Sequence, residues 1–101
     1  MATQVRDNPA GERFEIYQDG EYAGATFYYL VDGGIAFDHT EIDDRFEGQG
    51  LGSTLVREAL DDVRKRGWWV LPFCQFMRGY IQRHREYADL VPADRRAQFG
   101  L

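Results

Sequence analysis

Three glycines at alternate positions, in the run Glu47-Gly48-Gln49-Gly50-Leu51-Gly52-Ser53, stand immediately before a segment of helical apolar period. Glycine at a helix start lets the backbone approach a ligand closely, and the free amides there, aided by the positive end of the helix, suit phosphate. A tight turn made for packing alone would use the same residues. Spacing narrows the ligand. A triphosphate-binding P-loop needs lysine ahead of its Ser or Thr, whereas Ser53 follows Gly52. The dinucleotide fingerprint G-x-G-x-x-G fails as well, because the third glycine arrives one residue early and the strands ahead of it read as antiparallel. The other side chains able to share chemistry with this loop are His39, Glu41 and the lone cysteine, Cys74.

The elements that position them follow from periodicity. Phe14-Glu15-Ile16-Tyr17 alternates like a half-buried strand, Asp19-Gly20 is a hairpin turn, and a second strand runs from Tyr22 to Val31. After the turn at Gly33-Gly34, a third strand sends Ile35, Phe37, His39 and Glu41 to one side and Ala36, Asp38, Thr40 and Ile42 to the other. Three antiparallel strands thus open the domain. Beyond the glycine loop, Leu51, Leu55, Val56, Ala59, Leu60 and Val63 recur at helical spacing, with Arg57/Asp61 and Asp62/Arg66 as i, i+4 pairs on the outer face. Gly67 stops that helix. Trp68-Trp69-Val70-Leu71 suits a buried strand ended by Pro72, which lacks a backbone donor. Phe73, Met77, Tyr80, Ile81 and His84 fit one face of a second helix, weakened by Gly79, since an interior glycine costs about 1 kcal/mol relative to alanine. The stretch from Pro92 reads as a short helix or a frayed tail.

This order has a geometric consequence. A strand joined to the next through a helix is placed parallel to it by a right-handed crossover, so the loop after the third strand and the segment after the fourth leave the sheet on the same edge. Ligands of open α/β sheets favour that edge. His39, Glu41, the glycine loop and Cys74 therefore converge.

With those residues placed, the run from Glu47 to Ser53 resembles the acyl-coenzyme A loop of the GNAT acetyltransferases, whose pattern is Arg or Gln, two variable residues, Gly, one variable residue, and Gly or Ala. Gly50 and Gly52 match its glycines, and Glu47 stands where Arg or Gln is usual. Phe37-Asp38-His39-Thr40-Glu41-Ile42, Leu71-Pro72-Phe73-Cys74 and His84-Arg85-Glu86-Tyr87 resemble the minimal YjdJ-type branch of that superfamily, with Arg85 replacing its usual proline. The likeness covers roughly residues 13 to 91 of a single domain, 1–101. It implies an α/β fold: antiparallel N-terminal strands, then a parallel β-α-β unit with splayed strands, then a second helix.

The resemblance further implies an N-acetyltransferase that takes acetyl-coenzyme A as cosubstrate, needs no metal, and acetylates an amine, including one on a protein or peptide. Amides of Gly48, Gln49, Gly50, Leu51, Gly52 and Ser53 would hold the pyrophosphate, and the pantetheine arm would lie along Glu41-Ile42 where the strands part. An attacking amine must lose a proton, and the thioester oxygen turning negative needs a donor. Glu41 is the favoured base, directly or through water, with His39 beside it; each also has a structural hydrogen-bonding reading. Cys74 admits three readings: a small buried hydrophobe, the lining of the acetyl pocket, or a covalent acetyl acceptor activated by the helix start beside it. Tyr80 resembles the tyrosine that protonates the departing thiolate in many relatives, and a core aromatic would look the same. Arg83 and His84 would reach the cofactor phosphates.

Bulk properties fit one small soluble, globular domain. The 101 residues suffice for one modest core, and 44% hydrophobic with 15% aromatic content is too rich for disorder. No apolar run approaches the roughly 20 residues of a membrane span, and the polar start from Met1 to Gly11 lacks a secretory pattern. With a lone cysteine, this points to the cytoplasm. A net charge of -5 argues against non-specific attraction to nucleic acid or anionic membrane. We expect a monomer or weak dimer. The alternatives to the enzyme are a non-catalytic module that binds or senses acyl-coenzyme A and a protein-interaction domain whose glycine run is only a turn.

Overall fold

Asp19 and Gly20 take φ of 51° and 84°, the primed-turn geometry that matches the twist of a hairpin. The turn joins β2 (Arg13–Gln18) to β3 (Glu21–Val31), and the next turn leads into β4 (Gly34–Ile42). The molecule is seen here as a computed structural model that describes residues 2–101. β4 is followed by α1 (Leu51–Arg66), β5 (Trp69–Pro72) and α2 (Gln75–Arg83). The sheet has five strands in chain order, the first four antiparallel and β4 parallel to β5. Among the described residues, no helix is long and apolar enough to cross a membrane.

Four antiparallel strands, not three, open the domain. β1 (Thr3–Asn8) pairs along its length with β2. Its sequence, Thr-Gln-Val-Arg-Asp-Asn, has one apolar residue, so alternation gave no signal. The strand is held at the sheet edge by side chains: the Arg6 guanidinium lies 4.3 Å from the Tyr17 ring centre, and Asp7 accepts from Tyr28 Oη at 2.6 Å and Arg66 Nη2 at 2.8 Å.

A second difference bears on the site. Phe27 faces His39 while Tyr28 faces Phe37, so Asp38 is an extra residue in β4. Such a bulge reverses the alternation beyond it. Ile35 and Phe37 do not share a side with His39 and Glu41: Thr40 falls with Phe37 on the face that carries Phe14 and Tyr28, and His39 and Glu41 turn to the other face. Burial agrees, with Ile35 and Phe37 fully enclosed and His39 and Glu41 exposed.

α1 buries Leu51, Leu55, Val56, Ala59, Leu60 and Val63, the residues picked out by period, and ends at Gly67 with φ 75°. Only one of the two expected i, i+4 pairs forms: Arg66 meets Asp62 at 2.6 Å, whereas Arg57 reaches Glu58 at 3.6 Å. Asp61 instead accepts a hydrogen bond from Tyr87 Oη at 2.6 Å. α2 buries Met77, Tyr80 and Ile81, while Phe73 lies before the helix and is partly exposed. β5 spans Trp69–Pro72, one residue later than the apolar run suggested. Beyond α2 the chain makes short 3-10 turns at Arg85–Leu90, Ala93–Arg95 and Ala97–Phe99. They are packed down by Phe99, which is buried and sits edge-on to Phe73 with ring centres 5.5 Å apart.

The Tyr87–Asp61 bond ties the last turns to α1, and burial together with the Asp61 carboxylate pushes the Tyr87 phenol up to about 12. The unfolded phenol ionises near 10. A raised folded value favours the folded state while the phenol is neutral, so this contribution is complete below about pH 10 and disappears as pH rises through about 12. Tyr87→Phe has no phenol to ionise. Urea midpoints measured across that window should fall less steeply for the variant than for the wild type, and parallel curves would remove the assigned coupling.

Candidate active site

The glycines of the loop differ in what requires them. Gly48 and Gly50 take φ of 81° and 73°, conformations that burden any side chain, and a Cβ at either would meet no protein atom within 4 Å. Their conformation, not crowding, requires glycine, and the space beside them is open. Gly52 differs: it is buried in the first turn of α1, and a Cβ there would stand 2.8 Å from Cζ of Phe76. The first bond from an amide of α1 back to Gly50 is that of Thr54, at 3.2 Å. The amides of Leu51, Gly52 and Ser53 precede it, with no capping side chain and no acidic residue in the first turn. A 280 Å³ pocket lies over this turn, lined by Ile42, Phe46, Glu47, Gly48, Gly50, Leu51, Gly52, Ser53 and Phe76. Gln49 sits exposed within the loop and does not line the pocket. Glu47 contributes the one acid at its rim.

The parting of β4 and β5 makes a second space. Their pairing ends at Phe37 and Pro72. The Phe37 carbonyl accepts from Cys74 N–H at 2.8 Å, and beyond it α2 draws away while β4 continues to Ile42. A 590 Å³ cleft fills the gap, bounded by Asp38, His39 and Thr40 on one side and Phe73, Cys74, Gln75 and Phe76 on the other. Phe76 lines both this cleft and the loop pocket, so the space over the helix start and the space beside Cys74 adjoin at its ring.

Cys74 is 3% exposed, and its Sγ lies 3.1 Å from Oγ1 of Thr40. Thr40 Oγ1 lies in turn 2.8 Å from Oγ1 of Thr26, which is fully buried. This chain of polar atoms from the core to the thiol was not legible before. The bulge that puts Thr40 on the inner face has no marker in the sequence, and an isolated Thr carries no motif.

On the outer face, His39 Nε2 and Glu41 Oε2 are 3.3 Å apart, and the His39 ring stacks on Phe27 at 5.9 Å. His39 reaches the cleft with Cys74; Glu41 lines a neighbouring 360 Å³ pocket with Tyr22, Ile42, Asp43 and Asp44. The same face carries Glu15, buried yet bonded to Asn8 Nδ2 at 3.0 Å, Arg13 Nε at 2.7 Å and Tyr17 Oη at 2.8 Å. Against the burial that would raise it, these donors hold the Glu15 carboxyl below its ordinary value. Glu15 is thus a charged support of the sheet.

The structure does not bring Tyr80, Arg83 and His84 to the groove. Tyr80 is 5% exposed, and its ring stacks on His84 with centres 4.2 Å apart. Burial raises its phenol above the ordinary tyrosine value. Arg83 folds back over Gly79, two helical turns beyond Phe76, and His84 caps α2 with its backbone amide. None of the three lines either space.

A mixed sheet whose parallel pair parts beside a glycine-led helix start is the architecture of an N-acetyltransferase. The chain belongs to the GCN5-related N-acetyl-transferase family, whose model matches residues 13–90. Its fold is similar to that of a GCN5-like protein from Staphylococcus aureus, at TM-score 0.66 and 22% identity over 88% of this chain and 87% of that one. It also resembles the ribosomal-protein-S18-alanine N-acetyltransferase of Escherichia coli, at TM-score 0.53 and 26% identity over 57% of this chain. A third similar structure is the ribosomal-protein-alanine N-acetyltransferase of Brucella melitensis biovar Abortus, at TM-score 0.55 and 18% identity over 80% of this chain. The chain covers 39% of the E. coli enzyme and 61% of the Brucella one. No curated protein matches it in sequence.

Proposed function

We propose that the chain transfers acetyl from acetyl-coenzyme A to an amine, with the thioester entering by the groove between the glycine loop and Cys74 and the amine arriving on the outer face of the sheet. The observation that carries this reading is the start of α1, where the amides of Leu51, Gly52 and Ser53 have no capping side chain and line a pocket that adjoins the cleft at Phe76. The amides of Leu51, Gly52 and Ser53 hold the pyrophosphate, and the pantetheine arm follows β4 past Ile42 toward Thr40. The edge of β4 beyond Phe37 has no strand beside it, so a backbone donor there meets the carbonyl oxygen as it becomes negative.

The His39–Glu41 pair takes the amine proton, the new N–C bond forms, the C–S bond breaks, and coenzyme A leaves as its thiolate. Cys74, enclosed and bonded to Thr40, lines the acetyl pocket and is not itself acetylated. Rapid-quench mass spectrometry checks this: a Cys74 acetyl adduct that forms and decays at the turnover rate would replace direct transfer with a two-step route. Tyr80, Arg83 and His84 take no step. Calorimetry with acetyl-coenzyme A is the deciding experiment, because a folded protein that fails to bind it has neither the enzyme's function nor that of a sensing module. A protein that binds without turning over any amine is the module.

The turn between β2 and β3 is only Asp19-Gly20, so no helix covers the outer face beside Glu41. An acceptor cleft this open admits an amine carried on a peptide or protein. We expect peptides with a free amine to be acetylated at least as well as small amines, and a screen in which peptides fail at every length while small amines react would rule this acceptor class out.

A further inference from the structure

We infer that Phe76 is a contact residue for the arm of the ligand between the loop and the cleft, and that Gly52 is small in order to seat that ring. The inference rests on the acyl-coenzyme A reading above and assigns a specific residue to it. Phe76 is the side chain shared by the two spaces, so a ligand anchored at the helix start and reaching Cys74 must cross it. Phe76 is 42% exposed and, with Phe73 at 38%, leaves apolar surface along the cleft. Uncovered apolar surface of this kind gains free energy when a ligand removes it from water.

The position of the ring is set from below. A Cβ on Gly52 would come within 2.8 Å of Phe76 Cζ, closer than such contacts allow, and the atom that must yield is the far end of a rotatable side chain. Gly52→Ala would therefore leave α1 in place and push the ring out over the groove. Gly50 and Gly52, equivalent in a sequence pattern, thus act differently: one is required by its backbone angle, the other by a neighbour's ring.

The test is a double-mutant cycle on binding. Affinities for acetyl-coenzyme A, and for adenosine 3′-phosphate 5′-diphosphate as a probe that lacks the arm, are measured by calorimetry on the wild type, Phe76→Ala, Phe76→Leu, Gly52→Ala and the double variant Gly52→Ala/Phe76→Ala. Phe76→Ala should weaken acetyl-coenzyme A about fivefold, the loss of roughly 40 Å² of apolar contact, and Phe76→Leu should recover most of it. The armless probe should change by less than about twofold, because its contacts are with the loop amides. Gly52→Ala should weaken acetyl-coenzyme A in the wild type and have no effect once Phe76 is alanine.

Equal losses for both ligands would make Phe76 a mere prop of the loop, and additive effects of the two substitutions would break the link to Gly52. Either result overturns the inference while the acyl-coenzyme A reading stands. Failure of the wild type to bind acetyl-coenzyme A defeats that reading first. If Phe76→Ala does not fold, Phe76→Val takes its place, and Gly52→Ala/Phe76→Leu closes the cycle. Leucine lacks the Cζ that the added methyl would strike, so a Gly52→Ala effect that persists there would overturn the link.

Discussion

Gly50→Val should lower affinity for acetyl-coenzyme A more than tenfold, at least about 1.4 kcal/mol. With φ at 73° the position penalises any L side chain by roughly 1–2 kcal/mol, and a β-branched one more. The open space beside it means that no protein atom is struck, so the added methyls project into the volume assigned to the ligand. Strain and obstruction are separable with a control. Gly67, at the other end of α1, has φ 75° and equally open surroundings. Gly67→Val should cost comparable stability in thermal melts and leave affinity unchanged. Unchanged affinity in a folded Gly50→Val protein would reject the loop as the phosphate seat.

Glu41→Gln should reduce turnover about a hundredfold or more, the lower range for loss of a positioned general base, while acetyl-coenzyme A binds as before. Glutamine keeps the shape and a hydrogen bond toward His39, at 3.3 Å in the native pair, but cannot take a proton. Cys74→Ala should cost only a few fold, because it removes lining from the cleft and leaves the His39–Glu41 pair intact. Single-turnover rates at saturating acetyl-coenzyme A decide between them. Were Cys74→Ala the more damaging of the two, the base assignment would fail and the thiol would carry the acetyl group.

The parts of this molecule legible in sequence were those written in local period or turn chemistry. Asp19-Gly20 announced its hairpin, Gly67 its helix end, and Leu51 to Val63 their helix face, since each depends on neighbours within a few residues. The convergence of the glycine loop with the residues around Cys74 was also accessible, because a strand-helix-strand unit brings both ends to one edge. β1 was hidden because cross-strand ion and ring contacts, such as Arg6 with Tyr17, leave no apolar alternation. The faces of β4 were misjudged because the bulge at Asp38 depends on the register with β3. Strict alternation put His39 and Glu41 beside Phe37 and hid Thr40, the residue that meets Cys74. Arg83 and His84 line neither space, because α2 begins against Phe37 and puts them about two turns beyond Phe76.

The sheet is threaded in strict chain order, each strand lying beside its predecessor. A nascent chain leaving the ribosome can therefore pair every strand as soon as it emerges, without waiting for a distant partner. The strip from β1 to β4, bearing His39, Thr40 and Glu41, completes its pairing within residues 3–42, whereas the thiol side of the cleft comes from β5 and the residues after it. β5 is the last strand in the chain, joins the sheet through four paired positions, and carries Cys74 with it. The cleft between β4 and Cys74 therefore forms only once the crossover through α1 is made, and pulse-labelled amide exchange during refolding should protect Ile16 and Ala25 before Val70.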